Sequence, residues 1–73
     1  MDNEVWRLET GWLAGYTEDR ELIRRIKRYK LKKGWIIMAD YFYRGRLTAV
    51  QFKIPAVQRR VAERMFDTNV ADI

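Results

Sequence analysis

The chain has 73 residues, a formal net charge of +5 at neutral pH, and neither cysteine nor histidine. A disulfide framework and the usual Cys/His zinc site are therefore excluded, and the sequence predicts no metal and no cofactor. Apolar residues make up 48% of the chain, a fraction typical of folded proteins. We expect a single domain over residues 1–73.

Nothing in the sequence predicts contact with a membrane. No stretch approaches the roughly 20 apolar residues that cross a bilayer, and the acidic N-terminus does not resemble a signal peptide. We therefore expect an intracellular, cytoplasmic protein. Small domains without disulfides or metals often gain stability by association, which favours a homodimer.

The first predicted element is a strand over residues 5–16, where apolar and polar residues alternate. Its expected buried face consists of Trp6, Leu8, Trp12, Ala14 and Tyr16. Gly11 indicates either a bend in one strand, the interpretation we prefer, or a tight turn that divides the segment into a hairpin.

An amphipathic helix is predicted over residues 17–30, and the rest of the domain is expected to pack against it. Its apolar stripe, spaced at 3.6 residues per turn, consists of Leu22, Ile23, Ile26 and Tyr29. Residues 31–34 are expected to form the exit, because Gly34 offers the positive φ that commonly closes a helix.

The remaining surface of this helix and its exit is strongly basic. Residues 20–33 contain one acidic residue, Glu21, and eight lysines and arginines. Clustered cations of this kind neutralise phosphates and release counterions. We predict phosphate contacts from Arg24, Arg25, Lys27, Arg28, Lys32 and Lys33. The alternative is a solvated helix face that keeps the domain soluble.

Residues 35–43 and 46–54 predict a β-hairpin whose two-residue turn is Arg44-Gly45. A register that pairs Tyr43 with Arg46 also pairs Tyr41 with Thr48, Ala39 with Val50, Ile37 with Phe52 and Trp35 with Ile54. The face formed by these residues is almost entirely apolar, so we expect it to turn toward the helices.

The other face of the hairpin is expected to remain uncovered. Exposed apolar patches commonly mark interfaces, and we predict self-association through Ile36, Met38, Phe42 and Leu47. Stacking of unpaired bases on this face is less favoured, because Phe42 is its one aromatic residue in this register. Arg44 and Arg46, at the hairpin tip, are predicted to add phosphate contacts.

Pro55 predicts the start of a second amphipathic helix, since proline is tolerated at a first helical position. Its apolar face consists of Val57, Val61, Ala62, Met65 and Phe66, and residues 67–73 are expected to form a flexible tail. The order βαββα predicts a small two-layer α+β domain with both helices packed on one face of a three-stranded sheet.

The sequence favours binding over catalysis. Without histidine, cysteine or serine, the candidate nucleophiles reduce to threonine, tyrosine, lysine and carboxylates. Helix capping explains the one close group of acidic residues, Glu18, Asp19 and Glu21, so we predict no enzyme activity. The favoured function is a small, non-catalytic nucleic-acid-binding protein, with DNA or RNA, duplex or single strand, left open. The alternative is a homo-oligomeric protein-interaction module, accessory or regulatory and possibly of phage or mobile-element origin, that binds an acidic protein partner.

Overall fold

The computed structural model describes residues 2–71. The strands are β1 (Asn3–Glu9), β2 (Trp12–Thr17), β3 (Ile36–Tyr43), β4 (Arg46–Pro55) and β5 (Val70–Ala71), and the helices are α1 (Arg20–Tyr29) and α2 (Arg59–Phe66). Single 3₁₀ turns, Leu31–Lys33 and Ala56–Gln58, follow α1 and precede α2. No helix within residues 2–71 is long and apolar enough to cross a membrane.

The strands form one five-stranded sheet in the order β3-β4-β2-β1-β5. β5 pairs parallel with β1, and the other neighbours are antiparallel. Both helices and the strands contribute to the same core, so the helices lie on one face of the sheet. The α+β class is confirmed, but the order is ββαββαβ with five strands, not βαββα with three.

The N-terminal segment is a hairpin, so our preference for a single bent strand is wrong. Thr10 and Gly11 connect β1 to β2, and Gly11 adopts φ +86°, in the region that glycine enters without steric cost. The register shifts by one residue at Leu8, which is 36% exposed.

The predicted buried face of this segment is also wrong. Val5 and Leu13 enter the core, whereas Trp6, Trp12 and Tyr16 have the opposite parity and remain partly exposed. Gly15 explains which face of β2 turns toward the core, because a Cβ there would lie 2.7 Å from Cζ of Phe66. The absence of a side chain at this position lets α2 approach β2.

Helix α1 begins three residues later than predicted. The Asp19 carboxylate accepts hydrogen bonds from the backbone N–H groups of Glu21 and Leu22, at 3.0 and 3.3 Å, and so caps the first turn. Gly34 adopts φ +97° and closes the 3₁₀ turn after α1, as predicted. Tyr29 was expected in the apolar stripe, but it lies 49% exposed because α1 ends there.

The β3–β4 hairpin has the predicted two-residue turn, with positive φ at Arg44 and Gly45. The predicted register is confirmed at Tyr43–Arg46 and at Ile37–Phe52, but it shifts by one residue between them. Bulges at Thr48 in β4 and Met38 in β3 cause this shift, since each inserts one unmatched residue.

After the bulge at Met38 the side chains of β3 exchange faces relative to the prediction. Asp40, expected on the uncovered face, forms an ion pair with Lys27 of α1 at 3.6 Å. Tyr41, expected in the core, is 43% exposed, and its ring centroid lies 6.0 Å from that of Tyr16. A one-residue slip reverses the facing of every side chain that it covers.

The C-terminal part departs from the prediction at both ends. Pro55 ends β4, and Val57 is 94% exposed in the 3₁₀ turn that precedes α2, so it takes no part in the apolar face. Val70 is 6% exposed and pairs with Val5, which contradicts a flexible tail at this position. Residues 72 and 73 of the predicted tail lie outside the described residues.

Trp35 is buried in the core against α2. It is 2% exposed, and its ring centroid lies 6.4 Å from that of Phe66 in α2. Its Nε1–H donates to Oε1 of Gln58 at 2.8 Å, and Nε2 of Gln58 donates to the carbonyl of Lys33 at 2.9 Å. The turn after α1 is thereby tied to the turn before α2.

Candidate nucleic-acid interface

Burial of one side of α1 turns its basic side toward solvent. Leu22, Ile23 and Ile26 are buried, whereas the arginines of the opposite side are exposed and Lys27 lies half-buried at the edge. The two lysines of the following 3₁₀ turn are also exposed. We call these side chains of α1 and its exit turn the basic surface: Arg24, Arg25, Lys27, Arg28, Lys32 and Lys33.

Two residues of the basic surface take part in ion pairs. Arg24 Nη1 lies 3.3 Å from Glu21 Oε2, with both side chains more than 60% exposed, and such pairs contribute little because water and salt screen them. Lys27 Nζ lies 3.6 Å from Asp40 Oδ1, each side chain being 35% exposed. The second pair orients Lys27 toward β3.

The rest of the basic surface keeps its charge available. The guanidinium of Arg28 lies 5.5 Å from the ring centroid of Tyr29, a cation–π contact that leaves the positive charge intact. Within residues 2–71, Arg25, Lys32 and Lys33 form no ion pair. An anionic ligand would meet these groups without first displacing a carboxylate.

A groove between α1 and the start of β4 extends this charge. One part, of about 200 Å³, is lined by Arg20, Ile23, Arg24, Lys27 and Leu47. The adjoining part, of about 450 Å³, is lined by Glu18, Arg20, Arg46, Leu47 and Thr48. Arg20 and Leu47 line both parts, and we call the two parts together the basic groove.

Arg46 lines the groove together with Arg20, but Arg44 does not line it. The guanidinium of Arg44 lies 5.3 Å from the ring centroid of Tyr43 at the hairpin turn. Arg20 was not among the predicted contact residues, although it lines both parts of the groove. Its position in the first turn of a basic helix could have identified Arg20 as a further contact residue.

The groove also contains one carboxylate, that of Glu18. The Tyr16 hydroxyl donates a hydrogen bond to Oε2 of Glu18 at 2.9 Å. This hydrogen bond raises the pKa of Tyr16 above its ordinary value of 10.0. The carboxylate therefore has a hydrogen-bond partner within the protein. Within residues 2–71 it forms no ion pair with Arg20 or Arg46, the arginines that also line the groove.

The residues predicted to form an oligomer interface do not lie together. Ile36 and Met38, 49% and 43% exposed, lie on the face of the sheet away from the helices. Leu47 instead packs against the core and lines the basic groove, and Phe42 pairs with it across the hairpin. The bulge at Thr48 causes this separation, because it turns Leu47 toward α1.

The face of the sheet away from the helices is richer in aromatic residues than predicted. We call it the open face, and its large side chains are Trp6, Trp12, Tyr16, Ile36, Met38, Tyr41 and Tyr43. The sequence pattern showed the alternation of β1 and β2, but it did not show which parity turns inward.

No group of three or more histidine, cysteine, aspartate or glutamate side chains within residues 2–71 is placed to hold a metal ion. Comparisons of the chain with models of protein families, with curated proteins and with solved structures found no match. Function is therefore inferred from the chemistry of the side chains themselves.

Proposed function

We propose that this chain is a small, non-catalytic nucleic-acid-binding protein that acts in the cytoplasm and contacts phosphates through the basic surface and the basic groove. The observation that supports it best is that Arg25, Lys32 and Lys33 are exposed and lack ion pairs within the described residues. Cations in this state release condensed counterions from a phosphate backbone, which supplies most of the affinity in sequence-independent binding.

The predominance of arginine in α1 fits the same ligand. The guanidinium group is planar and can donate two parallel hydrogen bonds to one phosphate, whereas an ammonium group acts as a point charge. Arg24 and Arg28 are separated by one turn of α1, so both can reach one ligand along the helix. Contacts of this kind fix the position of the protein on a backbone without reading its sequence.

Fluorescence anisotropy across a salt series tests this proposal. The ligands are labelled duplex DNA, single-stranded DNA and RNA, and the variant is Arg25→Gln/Arg28→Gln. The matched control is Arg60→Gln/Arg64→Gln, which removes the same charge from exposed positions of α2. Unfolding curves of both variants are recorded first, to show that each remains folded.

We expect Arg25→Gln/Arg28→Gln to weaken binding and to reduce the slope of log K against log[salt] by about 2, since each lost phosphate contact removes about 0.9. The control should leave the slope nearly unchanged. Equal effects of the two variants would show a diffuse attraction by net charge instead of a site on α1. Absence of binding at low salt would refute the proposal outright.

An acidic protein partner is the second candidate, and the floor of the basic groove favours it. Ile23 and Leu47 give the groove an apolar base between arginines, which suits an acidic peptide with one apolar side chain. In this case an acidic peptide containing leucine would bind, and Leu47→Ser would release it. Leu47→Ser would leave phosphate contacts from Arg25 and Arg28 intact.

A further inference from the structure

The open face is a nearly continuous layer of large side chains. Trp6 lies on β1, Trp12 and Tyr16 on β2, and Tyr41 on β3, so the aromatic residues extend across the sheet. The ring centroids of Tyr16 and Tyr41 are 6.0 Å apart in an edge-to-face arrangement. These side chains form a surface that spans neighbouring strands.

Small residues beneath this layer show how closely the large ones lie over the sheet. Ala14 and Ala49 have the parity of the open face and take no part in the core with the helices. They are nevertheless 0% and 2% exposed. Larger side chains on the same face therefore cover them. The cross-strand neighbours are Trp6 and Lys53 for Ala14, and Tyr41 for Ala49.

The open face carries charges of both signs, unlike the basic surface, and the guanidinium of Arg44 lies over Tyr43 at its hairpin end. Glu4 lies on β1 opposite Tyr16, and Oε1 of Glu9 lies 2.8 Å from Nζ of Lys53, whose ammonium lies 4.7 Å from the ring centroid of Trp12. Carboxylates here would repel phosphates. A second identical face can instead place acidic groups of one copy against basic groups of the other.

The dimensions and composition of the face match those of a stable interface. The molecule measures 35 × 27 × 20 Å. A face bounded by the two longer dimensions is of the same order as the roughly 800 Å² per partner of a standard interface. Tryptophan, tyrosine and methionine are the residues enriched at such contacts.

We propose that the open face is the contact between two copies of this chain. Tyr41 and Met38 are among its more exposed side chains, and Trp6 and Trp12 would also be covered by the partner. A chain of 73 residues without cysteine has no disulfide to stabilise it, so burial of this face would add stability. Stacking the two sheets face to face places the helices of both copies on the outside. The two basic surfaces then point away from each other.

This arrangement has a functional consequence that rests on the proposed nucleic-acid binding. A dimer with basic surfaces on opposite sides would hold two nucleic-acid segments at once and bridge them. The dimer contact itself does not depend on that function, because the open face and the basic surface lie on opposite sides of the sheet. The two proposals can therefore fail separately.

Sedimentation of the full chain without nucleic acid, over a wide range of concentration, tests the contact. The face variants are Tyr41→Glu and Met38→Glu, each at a side chain that is 43% exposed. The matched control is Val57→Glu, at a residue that is 94% exposed in the turn before α2. Circular dichroism shows whether each variant is folded, and Met38→Glu serves if Tyr41→Glu is not.

We expect the mass to rise with concentration from 8.9 kDa toward twice that value. Each face variant should raise the dissociation constant at least about tenfold, because the introduced carboxylate would be buried in the contact, and Val57→Glu should not. A monomer at every concentration, or a dimer that Tyr41→Glu and Met38→Glu leave intact, overturns the proposal. So does a monomer whose tryptophan emission is quenched by single-stranded DNA, which would assign the face to unpaired bases.

Discussion

Replacing Gly15 by alanine tests which face of β2 turns toward the helices. A Cβ at this position would lie 2.7 Å from Cζ of Phe66 and 2.8 Å from Cδ1 of Ile54. Carbon atoms in favourable contact are about 3.5–4.0 Å apart, so the neighbouring atoms must move by about 1 Å. Phe66 and Ile54 are fully buried, and a densely packed core resists such a movement.

The sign of the effect separates the two possible faces. If Gly15 faced solvent, alanine would stabilise the strand by about 0.5–1 kcal/mol, because glycine loses more conformational entropy on folding. In the structure it faces α2, and overpacking costs about 1–3 kcal/mol. We therefore expect Gly15→Ala to destabilise the domain and to lower its Tm by about 4–8 °C for each kcal/mol.

Urea unfolding of a double-mutant cycle measures this effect. Phe66→Leu removes the ring atom nearest to the new methyl group, so Gly15→Ala should cost less in that background than in the wild type. The free energies of unfolding of the four proteins give the coupling. A stabilising Gly15→Ala, or additive effects of the two substitutions, would refute the assigned packing of α2 on β2.

Substitutions at three further positions test contacts that hold the fold. Gln58→Leu should cost about 1–3 kcal/mol in thermal unfolding, because it leaves the buried indole N–H of Trp35 without its acceptor. Asp19→Ala should cost about 1 kcal/mol through loss of the N-cap of α1, and Asp19→Asn should retain most of it. The backbone N–H of Val70 donates to Glu63 and, with Arg59, lowers the pKa of Glu63 below its ordinary value of 4.5. The stabilisation of the folded state by the ionised Glu63 carboxylate is present above pH 4.5 and is lost as the pH falls through the lowered pKa. When stability is measured against pH, Glu63→Gln should therefore be less stable than the wild type near neutral pH, and the difference should shrink in acid.

The features that the sequence predicted correctly depend on local chemistry. Arg44-Gly45 is a two-residue turn because the glycine readily takes the positive φ that such turns require. Gly34 ends the exit from α1 for a similar reason. The stripe of Leu22, Ile23 and Ile26 follows from helical periodicity, and its burial explains why the basic side of α1 faces solvent.

The features that it did not predict depend on long-range packing. The alternation of β2 is the same whether Leu13 or Tyr16 faces the core. Phe66, about 50 residues away along the chain, decides which face turns inward, because its ring occupies the space beside Gly15. Strand β5 is two residues long, too short for any pattern, and Val70 is held there by Val5 and Glu63. No local signal identifies such a strand.

The bulges of the second hairpin connect the fold to both proposed surfaces. The unmatched Thr48 turns Leu47 toward α1, where it forms the floor of the basic groove. The unmatched Met38 turns Tyr41 away from the helices and next to Tyr16 on the open face. Under the predicted register, Tyr41 would enter the core and Leu47 would face outward, so neither surface would have its present composition. Two unmatched residues, one in each strand, therefore separate a cationic groove on the helix side from an aromatic face with charges of both signs on the other. A polyanion and a second copy of the chain require those different chemistries.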